Sequence, residues 1–143
     1  MQAIPANPYA SPGDNGLNNV SPLNYVDVDF TYLYDVTLTG GQFLRDQTVS
    51  TTNDADFAIR AIVIAFSTGP FNIRIADSQG YYLSNGMIAS ANLLGDAASP
   101  FPIFPEVLIP AGGRIGIDIK DTSGAPNVIE ILFRGVKRYR IAG

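Results

Sequence analysis

The sequence predicts an all-β protein: a single-domain β-sandwich or jelly roll of about eight strands, preceded by an extended N-terminal arm. Apolar and polar residues alternate with a period of two over most of the chain after residue 24. Turn signals rich in Gly, Pro, Asp and Ser recur at short intervals, and no stretch has the periodicity of a long helix. The 143 residues suffice for one domain with its own hydrophobic core.

Residues 1–24 differ from the rest in composition. Thirteen of them are Pro, Asn, Gly or Ser, and a segment with so few apolar side chains does not offset the entropy lost when it becomes ordered. Two interpretations stay open: a flexible leader, or an arm that docks on a neighbouring subunit. In the second, spaced apolar residues anchor the arm, including Tyr9, Leu17 and Val20. Because the first residues carry no positive charge, we expect no export signal.

Eight segments are predicted as strands. The first, residues 25–38, has an apolar residue at every even position, and its length leads us to expect a bend or break near Thr31. Further strands are predicted at 43–51, 57–66, 71–76 and 81–83. A long loop follows, in which residues 87–94 allow one helical turn. The last three strands are predicted at 104–109, 114–120 and 127–140.

The segment 57–66 is apolar on both of its predicted faces. One face comprises Phe57, Ile59 and Val63, and the other comprises Ile62, Ile64 and Phe66. A strand that is apolar on both faces needs a cover on both. We therefore expect another subunit to cover one face, with candidate interface residues Arg60, Ile62 and Ile64.

The strand 127–140 has core-like residues at odd positions and a mixed basic and aliphatic face at even positions. Four of the nine basic residues fall between positions 134 and 140. One interpretation is an edge strand protected by charge against unwanted sheet pairing. The other is a patch that binds an acidic partner surface, with candidate residues Leu132, Arg134, Val136, Arg138 and Arg140.

The composition excludes the commonest enzyme chemistries. Without Cys or His the chain has no thiolate nucleophile, no imidazole base and no cysteine or histidine zinc site. The formal net charge is -4, whereas nucleic-acid-binding domains are usually basic. We expect no catalytic residues and no cofactor. We also expect no nucleic acid, membrane or small-molecule substrate as partner.

Two carboxylate pairs raise calcium binding as an alternative. Asp54 and Asp56 project to the same side of an extended chain, and Asp118 and Asp121 form a second pair. Neither pair is followed by the ligand spacing of a calcium loop. We therefore expect ordinary polar turns and no metal site.

Tyrosines raise a second alternative, a carbohydrate-binding module with exposed rings for sugar stacking. The alternation predicts that Tyr32 and Tyr34 face the core. Of the neighbouring Tyr81 and Tyr82, only one is expected to face outward.

Five strand-and-turn segments between residues 32 and 140 resemble small structural proteins of tailed bacteriophages. They are YLYDVTL at 32–38, DADF with RAI at 54–62, IxIxDxxG at 73–80, IPAGG with IxID at 109–118, and EIxFxGxKRY at 130–139. The similarity is greatest to capsid decoration or cement proteins.

This resemblance implies a function without catalysis. Cement proteins are jelly-roll or sandwich proteins, often trimeric, that bind the outside of the phage head. The implied partners are the major capsid protein and copies of the chain itself in a homotrimer. The implied location is the capsid surface of the virion, after synthesis in the bacterial cytoplasm. Alternatives are a head–tail connector, a head fibre, a tail structural component or a carbohydrate-binding jelly-roll module.

Overall fold

The computed structural model describes residues 24–93 and 101–141, so the predicted arm lies outside the described residues except for Asn24. The chain forms the strands β1 (Tyr25–Leu38), β2 (Phe43–Ser50), β3 (Asp56–Ser67), β4 (Phe71–Ala76), β5 (Ile88–Ala89), β6 (Phe101–Ile109), β7 (Arg114–Asp121) and β8 (Asn127–Arg140). One helical turn, α1 (Ser90–Leu93), follows β5. The predicted all-β fold class is confirmed.

The strands form two antiparallel sheets of four. Sheet A has the strand order β1-β8-β3-β6, and sheet B has the order β2-β7-β4-β5. Strands that are consecutive in the chain therefore mostly alternate between the two sheets. This arrangement of eight strands in two sheets is that of a jelly roll.

The core lies between the inner faces of the two sheets. Sheet B contributes the apolar residues at every second position of β4 and β7, among them Phe71 and Ile117. Sheet A contributes the odd positions of β8, including Ile131 and Phe133, together with Tyr32 of β1. The period-two alternation of the sequence reflects the one face that each strand turns towards this core.

A β-bulge explains why the segment 57–66 looks apolar on both faces. The pairing between β3 and β8 shifts register between Ile59 and Ala61, so Arg60 is an extra residue in β3. Beyond the bulge the even positions face inward, and Ile62 is only 1% exposed within the core of its own chain. Ile64 also packs against that core. The prediction that another subunit covers Ile62 and Ile64 was therefore wrong.

The same shift moves other β3 residues to the outer face of sheet A. Val63 lies opposite Leu132 of β8, on the side away from the core, where it is also buried. A second irregularity between Ile64 and Phe66 pairs Phe66 with Glu130 and leaves the phenyl ring half exposed.

Two further strand predictions need correction. β1 runs unbroken through Thr31 for 14 residues, and its Val28 and Phe30 are exposed despite lying on the predicted core face. β2 and β7 of sheet B have only 8 residues each, against the 14 of β1. In the segment 81–83, Tyr82 forms only an isolated bridge to Ala76, and β5 is the edge strand beside β4.

Asp121 holds together the turns at one end of the sandwich. Its carboxylate accepts hydrogen bonds from the backbone N–H groups of Gly41, Ser123 and Gly124 at 2.8, 3.1 and 2.9 Å. The Ser123 hydroxyl and the Asn127 amide donate two more, at 2.6 and 3.1 Å. These donors, the Gly41 N–H first, hold the pKa of Asp121 well below its usual range.

The chain divides into two compact units. The larger comprises residues 27–138. In the smaller, residues 24–26 and 139–141 are described, and the Ile141 N–H donates to the Asn24 carbonyl oxygen at 2.8 Å. The Arg140 guanidinium lies 5.9 Å from the centre of the Tyr25 ring in the same unit.

Candidate interaction surface

The outer face of sheet A carries five of the eleven predicted interface residues: four from β8 and Arg60 from β3. Cross-strand pairing places Leu132 opposite Val63, Arg134 opposite Ala61, and Val136 opposite Ala58, while Phe133 between them faces the core. Arg138 follows on the same face of β8, because it pairs with Asp56. The prediction that these even-numbered residues share one outward face is confirmed.

A four-residue ion network crosses this face, formed by Asp27, Arg60, Glu106 and Arg138. The Arg138 guanidinium binds both carboxylate oxygens of Asp27, through Nε at 2.9 Å and Nη2 at 3.1 Å. Its Nη1 donates to Glu106 at 2.8 Å. Arg60 donates through Nε to the other Glu106 oxygen at 3.0 Å, and its Nη2 lies 3.5 Å from Asp27.

The network links all four strands of sheet A. Asp27 belongs to β1, Arg138 to β8, Arg60 to β3 and Glu106 to β6. The hydrogen bond from Arg138 is the main cause that lowers the pKa of both Asp27 and Glu106, and both carboxylates in turn raise the pKa of Arg138. Two arginines and two carboxylates thus neutralise one another within the chain.

The strand 127–140 is consequently less basic towards solvent than its sequence indicates. Lys137 turns inward, where its Nζ lies 3.1 Å from Asp54 and 3.0 Å from the Thr52 hydroxyl, and 3.9 Å from the Phe30 ring centre. Arg138 is committed to the ion network. Arg134 is exposed, and no carboxylate of the described residues lies within ion-pair distance of it. The expected basic patch therefore loses Lys137 and Arg138 to ion pairs within the chain.

Three exposed apolar side chains lie on the same face as the network. Leu108 of β6 pairs with outward-facing Ala58, and Val128 lies two positions before Glu130, which pairs with Phe66. Leu108, Phe66 and Val128 are all exposed. A shallow cavity of about 320 Å³ lies beside the network, with Arg60 and Arg134 in its lining. The face therefore combines exposed apolar groups with internally paired charges.

The structure brings only part of the predicted interface together. Leu132, Arg134, Arg138 and Arg60 share the outer face of sheet A, whereas Val136 lies on that face but is 3% exposed and is not available to a partner. Arg140 belongs to the smaller unit. The predicted arm residues Tyr9, Leu17 and Val20 lie outside the described residues.

Sequence reasoning missed several residues of this face. Asp27 was recognisable as polar and opposite in parity to the core positions of β1. Glu106 joins it only because β6 lies at the other edge of the same sheet. No local sequence signal gives that strand order. Phe66 lies on the opposite face from Ile62 and Ile64, with which the alternation grouped it, because a second irregularity separates Ile64 from Phe66.

The carboxylate pairs considered for calcium have protein partners. Asp54 binds Lys137 and accepts from the Thr52 hydroxyl, and Asp56 accepts the Ala111 N–H at 2.9 Å. Within residues 24–93 and 101–141, no three carboxylate side chains are grouped in a way that could hold a metal ion.

The tyrosines divide differently from the prediction. Tyr32 and Tyr34 are buried, as expected. Tyr81 and Tyr82 are both exposed, at 69% and 42%, so the expectation that only one faces outward was wrong.

Comparisons with known proteins add no family assignment. No protein-family model matches the sequence, and a search of curated proteins finds no significant match. In the part of the chain that the structure describes, no helix is long and apolar enough to cross a membrane.

Proposed function

We propose that this protein is a non-enzymatic structural protein of a tailed-bacteriophage virion, and specifically a capsid cement protein that binds the outer surface of the head. The resemblance of five segments between residues 32 and 140 to phage structural proteins supports the virion assignment. The eight-stranded sandwich supports it further, because such a scaffold presents a stiff sheet face to a partner.

The observation that carries the proposal is the outer face of sheet A. Its exposed apolar side chains, including Phe66 and Leu108, stabilise a contact when a partner removes them from water. Its charges at Asp27, Arg60 and Arg138 are already paired, so a partner that covers these three residues does not bury an isolated charge. Many such contacts repeated over a capsid lattice add up through avidity.

Self-association of the protein does not follow from β3. Because Ile62 and Ile64 are covered by their own chain, β3 does not require a trimer. We retain the homotrimer as part of the proposal, with the exposed residues of sheet A available to copies of the chain or to the major capsid protein. The arm of residues 1–24 remains a second proposed contact with the particle.

Purified virions provide the direct test. We expect mass spectrometry of particles from the virus that encodes this protein to find it in many copies. Gold-labelled antibodies should then bind the head of intact particles. Absence from purified particles would contradict the virion assignment. Labelling confined to the tail or the neck would replace the cement role with a tail or connector role.

A further inference from the structure

A groove of about 390 Å³ lies on the outer face of sheet B, on the opposite side of the sandwich from the ion network. Its floor is the β7 segment around Gly116 and Asp118, its walls include residues 46–48 of β2 and Tyr82, and Arg114 also lines it. The volume falls in the range of about 300–1,000 Å³ that small-molecule sites occupy.

Backbone features create the concavity. Gly116 pairs with Ala76 of β4, and a β-carbon added to the glycine would lie 3.2 Å from the Ala76 side chain, so the floor there carries no larger group. The β2 wall is bulged between Leu44 and Gln47, and Asp46 adopts a φ of 56°. Among the described residues, Asp46 alone has a positive φ without being glycine.

A buried carboxylate fixes the aromatic wall. Asp118 is 4% exposed and accepts hydrogen bonds from the Asp46 N–H at 2.9 Å and from the Tyr82 hydroxyl at 2.9 Å. The Arg74 guanidinium lies 3.4 Å from Asp118 and 3.5 Å from the centre of the Tyr82 ring. Tyr82 is therefore held at its hydroxyl and against its ring, yet two-fifths of its surface stays open.

Hydrogen-bonding groups of both kinds remain available in the groove. Within the described part of the chain, the Asp46 carboxylate and the Arg114 guanidinium have no ion-pair partner. The first is an acceptor and the second presents several donors. The Thr48 hydroxyl, which both donates and accepts, lines the same space. A matching ligand thus carries donors and acceptors of its own.

We propose that this groove binds a neutral carbohydrate, with one pyranose ring as the recognised unit. A sugar has hydroxyl groups that donate and accept, and a C–H face that packs on an exposed aromatic ring such as Tyr82. An anionic ligand fits less well, because Asp46, Asp77 and Asp118 line the groove with Arg114. A wholly apolar ligand would leave these polar groups without partners.

Saturation-transfer-difference NMR on the full chain tests the assignment. The probes are the methyl pyranosides of glucose, galactose, mannose and N-acetylglucosamine, each at about millimolar concentration, where weak sugar sites are measurably occupied. We expect at least one of them to receive saturation from the protein. Arg114→Ala removes an exposed charged donor, and we expect it to weaken that binding about tenfold.

Two tyrosine variants separate the groove from general surface effects. Tyr82→Ala removes the fixed ring and is expected to abolish transfer to the sugar. Tyr81→Ala, which removes an exposed neighbour outside the groove lining, leaves binding unchanged. A two-dimensional amide spectrum of each variant checks that the fold is intact. If Tyr82→Ala unfolds, the comparison of sugar binding by Arg114→Ala and by Tyr81→Ala still tests whether the sugar binds in the groove.

Several outcomes would overturn the proposal. It fails if none of the four pyranosides receives saturation, or if binding persists unchanged in Arg114→Ala. It also fails if only sialic acid, a heparin fragment or a basic peptide binds in parallel experiments. These results are independent of the cement role, because that role rests on the opposite sheet.

Discussion

Replacing Arg138 by alanine tests whether the ion network ties the strands of sheet A together. Arg138 makes three charged hydrogen bonds of 2.8 to 3.1 Å, two to Asp27 and one to Glu106. The Arg138, Asp27 and Glu106 side chains are 23%, 34% and 31% exposed, so solvent screens each pair only in part. Exposed pairs contribute about 0.2–1 kcal/mol each, and two pairs with good geometry give an expected loss of about 1.5 kcal/mol.

Arg134→Ala is the matched control, because it changes the same residue type on the same face of the same strand. With no ion-pair partner among the described residues, Arg134 should contribute less than about 0.5 kcal/mol. The free energy of unfolding is measured by urea denaturation. A double-mutant cycle of Arg138→Ala with Asp27→Asn should then give a coupling of about 1 kcal/mol. Equal losses for the two arginine variants, or no coupling in the cycle, would refute the network's role.

Three other predictions concern single positions. Gly135→Ala puts a β-carbon against the Ala58 carbonyl oxygen of β3, so the free energy of unfolding measured in urea should fall by about 3 kcal/mol or more. Gly86→Ala is the control, because a β-carbon there has no neighbouring atom within 4 Å, and its effect on stability should be close to zero. Similar losses of stability in both variants would contradict the close approach of β3 to Gly135. Burial raises the pKa of Tyr34 to about 12, and its hydroxyl has no partner among the described residues. Tyr34→Phe should therefore raise the free energy of unfolding, measured by thermal denaturation, by about 1 kcal/mol. A decrease would indicate that the hydroxyl is hydrogen-bonded. Hydrogen-bond donors, the Gly41 N–H first, lower the pKa of Asp121. The stability that the ionised carboxylate contributes is therefore fully present above its unfolded pKa of about 3.9, and it is lost as the pH falls towards the folded pKa. Asp121→Asn should therefore reduce the fall of the urea midpoint with decreasing pH on the acid side. An unchanged slope would show that Asp121 does not cause that fall.

The alternation of the sequence predicted the fold because each strand buries one face. Phe71, Ile73 and Ile75 of β4 and the isoleucines of β7 fall in the core where the period of two places them. Jelly-roll strand order, by contrast, depends on long-range pairing. The edge position of β5 beside β4 could not be read from Ile88 and Ala89, which are too few for a pattern.

The bulge in β3 shows where the assignment of strand faces from odd and even positions fails. One extra residue at Arg60 reverses which positions face inward, so Ile62 and Ile64 lie in the core although the simple alternation assigns them to the face opposite Phe57. The neighbouring strand β8 does carry a sequence signal for the bulge. Gly135 pairs with Ile59 at the bulge, and only a residue without a β-carbon allows that approach. A glycine inside a strand pattern is a known indication of a bulge, but its partner strand cannot be identified locally.

The candidate surface was predictable in outline only. Even positions of β8 faced outward as the alternation required, and Arg134 is exposed. Neutralisation of Arg138 depends on Asp27, more than a hundred positions away in the chain. Charge counts along a strand therefore overestimated how basic the face is.

Binding of the purified protein to heads that lack it tests the docking role of sheet A most directly. Co-sedimentation would compare the wild type with Phe66→Asp on the outer face of sheet A and with Tyr81→Asp as an exposed control. A charge placed in an apolar contact should weaken binding at least about tenfold. We predict that Phe66→Asp fails to sediment with the heads and that Tyr81→Asp sediments like the wild type. Full binding by Phe66→Asp, or none by the wild type, would contradict the account.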